Sequence, residues 1–298
     1  MYTKTPPVAS TLKDLRRLRR EVESLHAQKP VAMVHCRSYL TALIGLEMKR
    51  KFGIPFLFDM RGFWADERVD GKIWNLKNPV YRVVYLYFKN KEREFLTESD
   101  AVVSLTLAGK EEIKQWFLEK PSYGGGHNHY NFDAAEALAE KTAVIPCAAD
   151  LVHFDRERIS PSRITWLAAV HGIDLGYKYL GYVGSLGTWY MTKEMVKCYA
   201  ALRSKMPDLR FLLLTRDDVS SFRKLAESSG IPQSHIVHVA AERRDVPALM
   251  SMMTASLFFI LPAFSKKASS PTKQGELMAM GVPVICNDGV GDPAFQMR

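Results

Sequence analysis

Short apolar runs alternate with stretches of helical spacing in the first part of the chain. The runs Val31–Val34 and Pro55–Asp59 are typical of buried strands. Between them, Tyr39–Phe52 carries apolar residues four positions apart, and Gly53 is placed to end a helix. A strand, a helix and a strand within about thirty residues predict a βαβ unit with parallel strands and a right-handed crossover.

The same alternation continues to the end and starts afresh near the middle. In the first half it predicts helices Leu12–Leu25, Asn78–Ser99 and Leu107–Leu118 with strands Ala101–Leu105 and Thr142–Pro146. In the second half it predicts strands Tyr179–Val183, Leu209–Leu214, Ile236–Val239, Ala255–Ile260 and Val282–Cys286, with helices Thr192–Arg203, Val219–Glu227, Val246–Thr254 and Lys273–Met280. Two series within 298 residues predict an α/β protein with two doubly wound parallel sheets, divided into 1–150 and 151–298.

The amino-acid composition limits the class of protein but does not identify it. Hydrophobic residues make up 47% of the chain and charged residues 24%, as in soluble globular proteins. The longest apolar run, Leu257–Leu261, is too short to span a bilayer, and no apolar stretch follows the basic N-terminus as in a signal peptide. The four cysteines are scattered without a CxxC pair, which favours reduced thiols in a cytoplasmic protein.

The net charge of +9 is concentrated near the N-terminus, where residues 1–60 hold 11 Lys and Arg against 5 Asp and Glu. Such a basic surface could meet anionic lipid on the inner face of a membrane, a lipid diphosphate or nucleic acid, or simply be a solvated helix face. No nucleic-acid-binding motif accompanies it, so nucleic acid is not expected as a partner.

The loop after the first strand of the second half is the first candidate ligand site. Gly184, Ser185 and Gly187 would let the backbone approach a phosphate beyond the carboxyl end of that strand. An ordinary tight turn explains the same residues.

The loop into the helix Lys273–Met280 is the second candidate. Hydroxyls of Ser270 and Thr272 suit a diphosphate, Lys273 supplies countercharge, Gly275 permits close approach and Glu276 could accept both hydroxyls of a ribose. A helix cap with a capping carboxylate is the alternative.

Metal binding is not expected. His127 and His129 beside Gly124–Gly126 could hold a metal, but a solvated loop is the favoured interpretation. Asp217 and Asp218 are interpreted as the start of a helix, and no DxD motif is present.

Residues 270–285 (SPTKQGELMAMGVPVI) closely resemble the nucleotide-sugar-binding signature of retaining GT-B glycosyltransferases of family 4. Four other segments resemble the same family in the same order, so the likeness covers nearly the whole chain. They are residues 34–38, 58–68, 144–150 with Phe154, and 182–187.

The resemblance implies two Rossmann-like domains facing a cleft, with the nucleoside-diphosphate sugar on the second and the acceptor on the first. It assigns Glu276 to the ribose, whereas Ala268 stands where a second glutamate is expected. Ser185 replaces a basic residue, so Lys273 and Arg216 must balance the diphosphate charge.

In the first domain, Arg37 stands where many members have a histidine near the donor sugar. Arg37, Arg61 and Asp66 are therefore the catalytic candidates expected at the cleft, with packing or a local salt bridge as the alternative for Asp66. The implied reaction retains configuration, with front-face attack as the expected mechanism, and requires neither a metal nor a cofactor.

The expected function is sugar transfer to a glycan or lipid-linked acceptor in cell-surface polysaccharide or lipopolysaccharide synthesis. The alternatives are an inactive nucleotide-sugar-binding relative, an epimerase and a nucleic-acid-binding protein. The family's opening strand and closing helices have no counterpart in the sequence, so the chain is expected to be truncated at both ends, with an incomplete first domain, poor solubility and little turnover.

Overall fold

A computed structural model describes residues 7–118 and 132–292 and divides the chain into two compact units. The first unit comprises residues 1–146 and 264–269, and the second comprises residues 147–263 and 270–298. The predicted division at residue 150 lies close to the first boundary, but a short segment from the second half belongs to the first unit. The loop with His127 and His129 lies outside the described residues.

The first unit is built on four parallel strands in the order β1-β2-β3-β4. The strands are β1 Val34–Arg37, β2 Phe56–Asp59, β3 Ala101–Ser104 and β4 Thr142–Val144. The helices are α1 Pro7–Gln28, α2 Tyr39–Phe52, α3 Trp64–Asp70, α4 Pro79–Glu98, α5 Leu107–Leu118 and α6 Phe132–Glu140. The sequence did not predict α3 or α6, and it placed β1 three residues too early.

The two faces of this sheet differ in what they pack against. Right-handed crossovers between strands that follow chain order bring the connecting helices to one face. On that face Phe56 and Phe58 are fully buried. The other face carries His35 and Arg37, both exposed, and Leu57, which belongs to neither large core cluster.

The segment 264–269 completes the first unit as a 3₁₀ turn, Phe264–Ala268. Phe264 stacks on Phe63 with ring centroids 5.4 Å apart, and the Lys266 ammonium lies 2.6 Å from a Glu67 carboxylate oxygen. Ala268 is only 2% exposed and belongs to the core of this unit. The segment is therefore an integral part of the first unit.

The second unit is built on five parallel strands in the order β7-β6-β5-β8-β9. The strands are β5 Lys178–Val183, β6 Leu209–Leu214, β7 Ile236–Val239, β8 Ala255–Phe258 and β9 Val284–Cys286. The helices are α7 Pro161–His171, α8 Thr192–Lys205, α9 Ser220–Ser228, α10 Val246–Met250 and α11 Thr272–Ala279. The strand order reverses between β5 and β8, which is the switch point where open parallel sheets bind ligands.

The predicted fold class of two Rossmann-like parallel sheets is confirmed. Within residues 7–118 and 132–292, no helix is long and apolar enough to cross a bilayer.

Candidate functional site

The turn after β5 has the backbone shape that the sequence predicted for close approach of a ligand. Gly184 has φ +117°, a conformation that residues with a side chain rarely adopt, and its N–H donates to Leu214 O at 2.9 Å. The Tyr182 hydroxyl donates to the Ser185 carbonyl. The Leu186 N–H donates to a carboxylate oxygen of Asp217 at 2.6 Å. Two side chains thus fix the loop, while Gly187 faces open space.

A pocket of about 320 Å³ opens beside this turn, at the carboxyl ends of β5 and β6. Its walls are Val183, Gly184, Ser185, Leu214, Thr215, Arg216, Asp217, Ala241 and Val246. Arg216 is exposed, and its Nε donates to the carbonyl of Ala241 at 3.1 Å. The predicted residues Gly184, Ser185 and Arg216 therefore meet at one pocket.

Helix α11 presents an uncapped start on the same unit. Its N-cap position is Pro271, which provides no side-chain cap, and Thr272 is exposed. The Ser270 hydroxyl is already used, because it accepts the N–H of Cys147 at 3.1 Å. One turn on, a Cβ at Gly275 would meet only Ala149, at 3.6 Å. The Glu276 carboxylate has neither a hydrogen bond nor an ion pair with the residues that the structure describes.

Lys273 is sheltered between aromatic rings rather than paired with an acid. Its Nζ lies 3.8 Å from the ring centroid of Tyr190 and 4.5 Å from that of Tyr182, and it donates to the Tyr182 hydroxyl at 3.3 Å. A Cβ built on Gly184 would lie 2.8 Å from this nitrogen. Burial lowers the Lys273 pKa to about 7, and the nearby Glu276 only partly opposes the shift.

The catalytic candidates of the first unit occupy dissimilar environments. Arg37 ends β1, and its Nε lies 3.8 Å from a carboxylate oxygen of Asp59. Arg61 is exposed at a left-handed φ of 59°. Asp66 is buried and accepts hydrogen bonds from the Tyr85 hydroxyl at 2.8 Å and the Lys89 ammonium at 2.9 Å. This placement matches the packing alternative for Asp66, because a carboxylate inside the unit is not available to a substrate.

Sequence reasoning missed the buried network to which Asp66 belongs. Lys89 also forms an ion pair with Glu92, which accepts a hydrogen bond from the Tyr39 hydroxyl. Burial raises the Glu92 pKa to about 7, and the Lys89 charge opposes that shift. The one available signal was the position of Glu92 on the apolar stripe of α4, beside Phe88 and Phe95.

The sequence analysis also missed the contact of Asp217 with the loop after β5 and the contacts of Tyr182 and Tyr190 with Lys273. Asp218 does stabilise the start of α9, where its carboxylate accepts from Ser220 N at 3.1 Å. Asp217, interpreted the same way, instead contacts the loop after β5.

Within residues 7–118 and 132–292, His, Cys, Asp and Glu form no group of three that could hold a metal ion.

Comparison with known proteins supports the fold. Residues 166–295, which include the turn, the pocket and α11, match the family described as glycosyl transferases group 1. No curated protein matches the chain.

Three solved structures share the architecture at low sequence identity. HepE of Anabaena, solved with UDP and glucose, is 13% identical with a TM-score of 0.58, over 99% of this chain and 67% of that one. A UDP-forming α,α-trehalose-phosphate synthase from Burkholderia vietnamiensis is 15% identical with a TM-score of 0.61, over 96% and 63%. A putative UDP-N-acetylglucosamine 2-epimerase from Listeria monocytogenes is 13% identical with a TM-score of 0.54, over 99% and 66%.

The chain thus spans about two thirds of the length of these structures, and likeness at such identity establishes the fold alone. The chain has the GT-B architecture of two Rossmann-like units, and its residues 166–295 match the glycosyl transferases group 1 family.

Proposed function

We propose that the chain is part of a glycosyltransferase that takes its sugar from a nucleoside-diphosphate sugar bound by the second unit. One observation supports this above all. The carboxyl edge of the β5–β9 sheet carries a left-handed glycine turn after β5, a pocket on the β6 side of that turn and an uncapped helix start after β8, all inside the matched residues 166–295. Open α/β sheets bind nucleotides beyond the carboxyl ends of their strands.

In this proposal the pocket beside Gly184 holds the nucleoside, and Glu276 accepts hydrogen bonds from the ribose hydroxyls. An ionised carboxylate suits that role because it can accept two hydrogen bonds at once. The N–H groups at the start of α11, with Thr272 and Lys273, bind the diphosphate. Arg216 at the pocket rim adds a second cation.

We further propose transfer with retention of configuration and without a metal. Negative charge develops on the diphosphate as the sugar leaves, so groups that bind the departing diphosphate stabilise the transition state. Lys273 and the α11 amides can supply this stabilisation. We expect activity to persist in EDTA, and loss in EDTA with recovery in manganese would refute the metal-free part of the proposal.

The acceptor is proposed to be a glycan or a lipid-linked saccharide of cell-surface polysaccharide synthesis, on the cytoplasmic side of a membrane. The support is a row of exposed cations on α1, Lys13, Arg16, Arg17 and Arg20, which could meet anionic lipid. Vesicles with anionic lipid should retain the chain at low salt, and vesicles of neutral lipid should not.

An inactive nucleotide-sugar-binding relative is the second candidate, because Ala268 has no carboxylate and is buried in the first unit. Retention of nucleotide binding without any turnover would favour it over the transferase.

The direct test is titration with UDP, GDP and ADP by calorimetry. The wild type should bind at least one of them, and Glu276→Gln should weaken that binding by about tenfold or more, because hydrogen bonds to charged groups contribute about 1.5–3 kcal/mol. Glu227→Gln removes an exposed carboxylate from α9 and is the matched control. Absence of binding to all three nucleotides, or equal weakening in both variants, would refute the proposed site.

A further inference from the structure

The position of Lys273 is unusual for a residue that should bind a diphosphate. Its Nζ faces the rings of Tyr182, Tyr190 and Phe258, at 4.5, 3.8 and 5.8 Å from their centroids. Tyr182 and Phe258 are buried in β5 and β8, the strands on either side of the switch point. We call these three rings the aromatic socket. The nitrogen lies inside the socket, beneath the glycine turn at Gly184.

Few charges act on this nitrogen. Among the residues that the structure describes, Glu276, one turn further along α11, is the one charged group that shifts the Lys273 pKa, and it raises that pKa. Of the socket residues, Tyr182 and Tyr190 are titratable, and burial raises the pKa of both phenols, so they stay neutral. Asp217 raises the pKa of Tyr182 further. The socket therefore surrounds the amine with neutral, weakly polar groups.

One hydrogen-bonded chain connects the amine to the proposed phosphate loop. Lys273 Nζ donates to the Tyr182 oxygen at 3.3 Å, and the Tyr182 hydroxyl donates to the Ser185 carbonyl. Because Tyr182 gives its proton to Ser185, its oxygen remains an acceptor for the amine. Lys273 is therefore connected to the loop after β5 through one intervening side chain, that of Tyr182.

We propose, resting on the proposed function, that Tyr182 and Tyr190 are positioning residues which keep Lys273 largely uncharged above neutral pH in the empty protein, and that the diphosphate of the donor draws a proton from solvent onto its Nζ. Burial in the socket removes the hydration of an ammonium, and this desolvation lowers the pKa of Lys273 although the ring faces attract a cation. A bound diphosphate reverses that preference, because an anion beside the nitrogen favours its charged form. No covalent bond changes, and the proton comes from the buffer.

The expected pH dependence follows from the sign of this linkage. The ligand-free Lys273 pKa is about 7, so the amine is mostly charged at pH 6 and mostly neutral at pH 8.5. The anionic donor favours the charged form, so the bound pKa is higher and affinity falls as pH rises above 7. For a bound pKa near 10, the affinity should drop about thirtyfold between roughly pH 6 and 8.5, with uptake of about 0.9 proton near pH 8.

The test measures donor affinity and proton uptake together. The probes are UDP-glucose, GDP-mannose and ADP-glucose, whose diphosphates do not titrate in this range. Calorimetry at pH 8 in Tris and in HEPES, which differ in ionisation enthalpy, gives the number of protons taken up. Lys273→Arg should bind with little pH dependence and no uptake, because the guanidinium stays charged. Lys193→Arg, on the exposed start of α8, should behave like the wild type.

Tyr190→Leu tests the socket itself. Opening it should rehydrate the amine, raise its pKa and flatten the pH profile, while affinity at high pH improves. Wild-type binding that is independent of pH, or proton uptake that persists in Lys273→Arg, would overturn the proposal.

A measurement on the ligand-free chain keeps this inference distinct from the proposed function. The NMR titration of the Lys273 Cε resonance, assigned through Lys273→Arg, should have its midpoint near pH 7. A midpoint above about 9.5 would overturn the proposal whether or not a nucleotide binds. Absence of nucleotide binding at every pH, with a midpoint near 7, would instead refute the proposed function and the donor-linked proton uptake, leaving only the perturbed amine.

Discussion

The ion pair between the buried Lys266 ammonium and the half-exposed Glu67 carboxylate should stabilise the first unit more than an ion pair between two exposed side chains does. The Lys266 side chain is 8% exposed and Glu67 is 46% exposed, with 2.6 Å between Nζ and Oε1. In Glu67→Gln the ammonium remains buried but loses this carboxylate. We expect the free energy of unfolding to fall.

The magnitude follows from where the two charges lie. Removing one partner of a fully buried pair costs about 3–5 kcal/mol. Exposed pairs contribute about 0–1 kcal/mol. Because Glu67 is half-exposed and its charge is partly screened, we expect a loss of about 1–3 kcal/mol.

Urea unfolding monitored by tryptophan fluorescence is the appropriate assay. Trp116 reports on the segment directly, because its ring centroid lies 6.5 Å from that of Phe264. Glu47→Gln is the matched control, since Glu47 and its partner Arg19 have side chains 44% and 45% exposed. That variant should stay within about 0.5 kcal/mol of the wild type. A Glu67→Gln protein as stable as the control would refute the reasoning.

Three glycine substitutions give further predictions, each checked by thermal unfolding. Gly45→Ala should destabilise the first unit by about 1–3 kcal/mol, because the new Cβ would lie 2.5 Å from the Cys36 sulfur; a higher melting temperature would contradict this. Gly275→Ala, with its nearest neighbour at 3.6 Å, should instead stabilise the second unit by up to about 1 kcal/mol through helix propensity, and a loss of stability would count against that contact geometry. Gly184→Ala should cost about 1–3 kcal/mol in backbone strain and displace the Lys273 amine, so an unchanged melting temperature and pH profile would argue against the turn described above.

The sequence predicted best those elements whose apolar pattern matches one core. Helices α2 and α5 and strands β6 and β7 have the predicted bounds. Strand β1 was misplaced because its exposed face carries His35 and Arg37, so the apolar run before it gave a stronger signal. Helix α7 was missed although Ser160 caps its start and Gly172 ends it in a left-handed conformation.

The candidate site was predictable only in part. The positions of Gly184 and Glu276 follow from motifs that are local in sequence. The socket around Lys273 does not, because Tyr182 and Tyr190 lie far before α11 in the chain, and they and Phe258 of β8 surround the amine only in the folded sheet. The positive charge of Lys273 led to its prediction as a countercharge for the diphosphate, but the burial of its amine could not be inferred from that charge.

The first unit is assembled from two stretches that lie far apart in the chain, and this affects when it can fold during synthesis. Residues 264–269 leave the ribosome more than a hundred residues after Pro146. At about 5–20 residues per second, the nascent first unit waits several seconds or longer for its last piece. Until then the glycines that accommodate this segment face no partner: a Cβ built on Gly109 would lie 3.0 Å from the Ala268 side chain, and one built on Gly62 would lie 3.3 Å from the Ala268 carbonyl oxygen. During synthesis the first unit therefore stays incomplete until residues 264–269 of the later half have been made.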